Sequence, residues 1–232
     1  MKDKVEKQYK KWAETYEEDK AKLIEKYGTS YEEFMNSFLT LCELKSNMII
    51  LDVGAGIVLT SIAIAKALSG ECRIQAVEPV NEMIEKAKMN IQREGFDKCI
   101  HIEKGRGESF PYNNGEFDLI TCTFAIRHME IEKALKEFKR VLKTKGKVVI
   151  ADICAPEKWR STLGRIITPV MQFMISRKYK GEMRSKILTV EEWKAIIKKS
   201  GLRVDKIIEF PGKRDPEWEL KRIIVSMRKG AR

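Results

Sequence analysis

The segment MIILDVGAGIVLTSIAIAKAL, residues 48–68, constrains the fold more than any other stretch. An apolar run of strand length ends at Asp52, Gly54 and Gly56, and a helical series follows without a break. Such a run, closed by a glycine turn and feeding straight into a helix, is the first half of a βαβ unit. The unit then recurs. CRIQAVEP reads as a second strand and NEMIEKAKMNIQREG as its helix, from Asn81 to Gly95. CIHIEKG, FDLITCTF and KVVIADIC read as strands three to five, with the helix IEKALKEFKRVLKTKG between the last two. RVDKIIEF and LKRIIVSMRK make seven. Alternation of this kind predicts an α/β fold, a doubly wound, seven-stranded, mostly parallel sheet with helices on both faces and one antiparallel strand.

Around this core, residues 47–155, three further stretches differ in character. Residues 1–46 read as helix with a break at YGTS; Tyr9, Trp12 and Tyr16 recur at helical spacing, as do Phe34, Phe38 and Leu41. Thr29 or Ser30 can cap the second of these helices. Residues 156–188 break the alternation with a Met- and Ile-rich helical series flanked by basic residues, an inserted cap. Residues 189–232 supply the helix TVEEWKAIIKKSGL, opened near Thr189 and stopped at Gly201, and the last two strands.

The bulk numbers narrow the class. A chain that is 43% hydrophobic and 34% charged describes a globular protein with a well-charged surface. Neither a leader peptide nor a membrane-spanning apolar run is visible, so a cytoplasmic location is expected. Five scattered cysteines without a CxxC pair, and only two histidines, point to reduced core thiols and no metal site. Charge is uneven. Residues 156–232 hold 20 Lys and Arg against 9 Asp and Glu, which accounts for the whole net charge of +11. A localised basic surface suits an anionic partner or simply solvation.

In a doubly wound sheet the ligand sits beyond the carboxyl ends of the strands, where DVGAGIV lies. Leu59 stands where a dinucleotide fingerprint needs its third glycine, and no phosphate-binding lysine follows. Asp52 would repel pyrophosphate and attract an ammonium group, whereas Glu78, 22 residues after Gly56, can accept from both hydroxyls of a ribose. A ligand with a ribose and an ammonium but no phosphates is S-adenosylmethionine. Each feature alone has a plainer reading, a tight strand–helix connection for the glycines and a surface acid for Glu78; together they point to one ligand.

The ordered set DVGAGIV, QAVEP, GRGESFPYNNGEFDLI, TCTFAIRHME and LKTKGKVVIADI resembles the class I S-adenosylmethionine-dependent methyltransferases over residues 48–153. The likeness implies a Rossmann-like fold and a cofactor site drawn from Asp52, Gly54, Ala55, Gly56, Ile57, Glu78, Pro79, Arg106, Gly107, Glu108 and Thr123. Val58 replaces the last glycine of the family's first motif, and Arg106 replaces the aspartate that meets adenine. TCTFAIRHME is similar to the segment FGIRN of ubiquinone/menaquinone-biosynthesis C-methyltransferases, so the resemblance favours an apolar or quinol-like small-molecule acceptor. Under it, His128 is expected as a base and Arg127 as a stabiliser of a phenolate, with helix capping and a pair to Glu130 as their structural alternatives. Tyr9 and Tyr16 would belong to a lid and Phe124 to the acceptor wall.

Two rivals remain at this point. The basic last third suits an RNA methyltransferase, although no NPPY-type tetrapeptide follows strand four and nucleic acid is the less favoured partner. Val58 and Arg106 suit a degenerate, non-catalytic scaffold. Contact of the cap with an acidic membrane surface, or with a second copy in a homodimer, is left open.

Overall fold

In the computed structural model, residues 30–162, 187–211 and 217–230 are described. Helix α1 (Tyr31–Cys42) precedes strand β1 (Met48–Val53), α2 (Leu59–Ala67), β2 (Cys72–Glu78), α3 (Asn81–Glu94), β3 (Ile100–Lys104) and β4 (Phe117–Thr123). Then follow α4 (Ile131–Val141), β5 (Leu142–Cys154), α5 (Val190–Ser200), β6 (Leu202–Phe210) and β7 (Lys221–Lys229). The seven strands lie in the order β3-β2-β1-β4-β5-β7-β6. Five pair in parallel, β6 runs in the same direction, and β7 enters between β5 and β6 antiparallel to both, so it is the single reversed strand.

Side-chain alternation along each central strand feeds two cores, since successive residues point to opposite faces. Ile50, Leu119 and Val149 face α1, α2 and α3, where Phe34, Phe38, Ile64, Ala87 and Ile91 meet them. Leu51, Ile120, Val148 and Ile150 face α4 and α5, against Leu135, Phe138, Trp193 and Ile197. The sheet is therefore buried on both sides, and its strand ends are left as the place for a ligand.

The caps follow chemistry the sequence carries. Ser30 accepts from the amide of Glu33 at 3.0 Å, which settles the choice between Thr29 and Ser30. Thr189 and Glu192 form a reciprocal capping box on α5, and Gly201 ends that helix with φ 78. One boundary differs from the sequence pattern. LKTKG was expected to prolong α4, yet the chain turns extended at Leu142, which pairs with Phe117. Lys143 Nζ reaches Asp118 Oδ2 at 2.8 Å, so tertiary pairing overrides helix propensity there.

At the opposite end from the glycine turn, Lys147 is buried and pairs with both Glu43 and Asp205, the latter at 3.1 Å. Arg228 joins the group through Glu43 at 2.6 Å. This four-charge cluster ties the end of α1 to β5, β6 and β7. Among the described residues, no helix is long and apolar enough to cross a membrane.

Replacing the buried cap, Thr189→Ala, should lower stability by about 1 kcal/mol. The denaturation midpoint should fall with an unchanged slope, because Glu192 loses its reciprocal partner but the packed face of α5 remains.

Candidate functional site

The carboxyl ends of β1, β2, β3 and β4 are adjacent in the sheet and carry most of the residues singled out in the sequence. The turn after β1 is lashed to β2: the amides of Gly54 and Ala55 both donate to the Val77 carbonyl, at 2.9 and 3.1 Å. Gly54 and Gly56 have φ 67 and 56, a region that favours glycine. At Gly54 a Cβ would also collide with the side chain of Ala125. Gly107, after β3, is pressed as closely: a Cβ there would lie 2.5 Å from Met129 Sδ and 3.0 Å from Val53 Cγ1.

Glu78 sits in contact with this turn. Its Oε2 accepts from the Gly56 amide at 2.9 Å and its Oε1 from the Val80 amide at 3.1 Å, so one carboxylate holds both the glycine turn and the start of α3. Pro79 follows it, half-buried, between β2 and α3. Thr123 closes β4, its hydroxyl 2.9 Å from that of Thr60 in the first turn of α2. Ala55 is half-buried beside the turn, and Ile57 turns its side chain inward against Val80 and Met83, leaving its backbone at the loop. Arg106 is exposed and bridges in antiparallel fashion to Ser109. Glu108 accepts from the Glu130 amide at 3.2 Å, linking the loop after β3 to the start of α4.

Three placements differ from expectation. Asp52 is completely buried; Ser61 Oγ donates to its Oδ2 at 2.6 Å and Thr121 Oγ1 to its Oδ1 at 2.9 Å. Its carboxylate thus braces β1 against β4 and α2 rather than facing an ammonium group directly. Arg127 points inward to Asp152 Oδ1 at 2.7 Å and to the Phe124 carbonyl at 2.7 Å, not to Glu130 and not to an acceptor. The buried pair clamps the loop after β4 to β5, an arrangement in which removing either partner strands a charge. His128 was expected as a base. Burial, with the Arg127 charge beside it, pushes its imidazole down to about 3, so it is neutral at physiological pH and too weakly basic to remove a phenolic proton well.

Val58 stands where the family pattern has its last glycine. It holds φ 64 and ψ 27 at the N-cap of α2, and its side chain is fully buried in the core beneath the sheet face. The Cβ therefore takes no room from the turn's outer side. Phe124 shares the left-handed conformation, with φ 56, and stacks on Phe34 at 5.6 Å, so the expected acceptor wall is joined to α1. Tyr9 and Tyr16, and most of the cap 156–188, lie outside the described residues. Sequence reading did not single out Thr60, Ser61, Thr121, Asn90 or Asp152. A signal existed for Asn90, a polar residue on the otherwise apolar stripe Met83, Ile84, Ala87, Ile91 of α3.

The methyltransferase-domain family profile matches residues 51–150. Over that span the chain matches a methyltransferase domain. A Bacillus subtilis (strain 168) protein named uncharacterized methyltransferase YcgJ is 32% identical over 126 residues, 54% of this chain and 48% of that protein. The present chain thus spans about half the length of that relative. The ubiquinone/menaquinone biosynthesis C-methyltransferase UbiE of Geotalea uraniireducens (strain Rf4) is 28% identical over 70% of this chain and 74% of its own. Among solved structures, geranyl diphosphate C-methyltransferase from Streptomyces coelicolor A3(2), in complex with Mg2+, geranyl diphosphate and S-adenosyl-L-homocysteine, superposes with a TM-score of 0.69. At 10% identity, over 85% of this chain and 79% of that one, it establishes the fold.

The low His128 value carries a stability consequence. Its folded pKa lies below that of the unfolded chain, so the contribution is complete above about pH 6.5 and is lost as pH falls toward 3. His128→Asn removes that proton uptake. Urea titrations at pH 7 and pH 4 should show the variant losing less stability than the wild type over this interval.

Proposed function

We propose that the protein transfers the methyl group of S-adenosylmethionine to a small-molecule acceptor, apolar or quinol-like. The observation that carries this reading is the meeting of Glu78 with the glycine turn at adjacent strand ends, where its Oε2 lies 2.9 Å from the Gly56 nitrogen. That one carboxylate, at the carboxyl end of β2, is placed to exchange backbone partners for ribose hydroxyls. The donor set fits the cofactor: two glycines that admit close approach, an acid beside them, and the backbone of Gly107 and Glu108 on the next loop. When bound, the sulfonium supplies an already activated methyl group.

The chain's own work is then positioning. Gly54, Gly56 and Ala55 present backbone, Glu78 receives the ribose, and Arg106 offers a guanidinium plane near the nucleobase end in place of a hydrogen-bond acceptor. Thr123 and Phe124 border the acceptor side. His128, held neutral, is a hydrogen-bonding group there, and Arg127 acts through Asp152 to hold the loop that carries it.

The likeness to UbiE-type enzymes in TCTFAIRHME supports the acceptor class. The RNA reading is weakened by charge pairing in the described part of the basic third: Arg160 pairs with Glu192, Lys194 with Glu191, Lys221 with Glu209, and Lys199 with Glu132 of α4. Much of the cationic surface described there is already neutralised by protein carboxylates.

Calorimetry with S-adenosylmethionine, followed by transfer of a labelled methyl group across quinols, small amines, thiols and RNA, tests the reading. Binding and labelling of a quinol are expected; labelling of RNA alone, or no binding, overturns it. Glu78→Ala should weaken the cofactor by about tenfold or more, for two lost charge-assisted hydrogen bonds. The rate should show no inflection near pH 6.5 attributable to His128, as a pH–kcat profile of wild type against His128→Asn would report.

A further inference from the structure

Helix α3 turns an apolar stripe to the core, and one polar side chain interrupts it. Asn90 is 4% exposed among Met83, Ile84, Ala87 and Ile91. A buried amide is costly unless bonded, so its partner is informative. Asn90 Nδ2 donates to the backbone carbonyl of Ile57 at 3.1 Å. That carbonyl belongs to the peptide joining Ile57 to Val58.

Val58 is the residue that most needs holding. A β-branched side chain is disfavoured at φ 64, ψ 27, and such a conformation persists only where its surroundings over-determine it. On one side, the Val58 amide donates to the Ala55 carbonyl at 2.9 Å. On the other, Asn90 fixes the orientation of the preceding peptide, while Ile57 itself is packed against Val80 and Met83. A glycine at position 58 would adopt this turn without help.

We propose that Asn90 is a positioning residue of the cofactor site, acting through the Ile57–Val58 peptide to keep the glycine turn in its binding shape. The inference rests on the reading that this turn receives S-adenosylmethionine. Asn90 stands in for the missing glycine: it supplies by a side-chain hydrogen bond the conformational bias that a glycine backbone carries intrinsically. The requirement for Asn90 is therefore coupled to the residue at 58.

The test is a double-mutant cycle read by the dissociation constant of S-adenosylmethionine. Asn90→Asp keeps the shape and removes the donor; Asn90→Ser serves if that variant does not fold. Either should weaken binding by about tenfold in the wild-type background and by less than about threefold in a Val58→Gly background. Ile84→Ala, on the same buried stripe but with no side-chain hydrogen bond to the turn, should lower the melting temperature with the dissociation constant unchanged. Equal losses in both backgrounds, or no loss in either, would refute the positioning role. Amide hydrogen exchange gives a ligand-free reading: residues 55–59 should exchange faster in Asn90→Ser than in Ile84→Ala, and equal protection in the two overturns the proposal. If the wild type binds no cofactor, the methyltransferase reading fails, and the exchange result still decides whether Asn90 holds the turn.

Discussion

The arrangement at the strand ends depends on a carboxylate that never meets solvent. Asp52, the fifth residue of β1, gathers the Ser61 hydroxyl from α2 and the Thr121 hydroxyl from β4. Two hydroxyls compensate a buried acid that would otherwise be strongly unfavourable, and in doing so they fix where α2 departs from β1. The glycine turn lies between these anchored ends, so its course is set from below before any ligand arrives. Glu78 then holds the same turn from β2.

Much of this was legible in the sequence because its causes are local. Seven apolar runs alternating with amphipathic series specify a parallel sheet with covered faces, and seven strands with one reversed are found. Glycine turns and Thr189–Glu192 capping are likewise written over four or five residues. Asp52 and Arg127 were harder. Both stood out as charged residues in the right segments, but the direction in which a side chain points depends on partners 69 and 25 residues away, Thr121 and Asp152. No local pattern encodes those meetings. His128 shows the same limit: its type suggests a base, whereas its burial beside Arg127 removes that capacity.

The charge distribution illustrates how composition and surface diverge. A net +11 concentrated in the last third suggested a localised basic surface, for an anionic partner or for solvation. In the described part of that third, cations are drawn to carboxylates from other elements, Glu132 of α4 and Glu43 after α1 among them. Exposed pairs of this kind contribute little to stability, but they change what an approaching polyanion encounters.

Met129 has a wider implication. Its side chain lies against both Gly54 and Gly107, on loops that follow different strands. A methyl group added at Gly107 would press on this thioether, 2.5 Å from its Sδ, whereas one at Gly54 would collide with Ala125 and meet Met129 Cε only at ordinary contact, 3.5 Å. Positions 107 and 129 therefore share a single volume, and substitutions tolerated across diverging lineages should change together: a larger residue at 107 accompanied by a shorter one at 129.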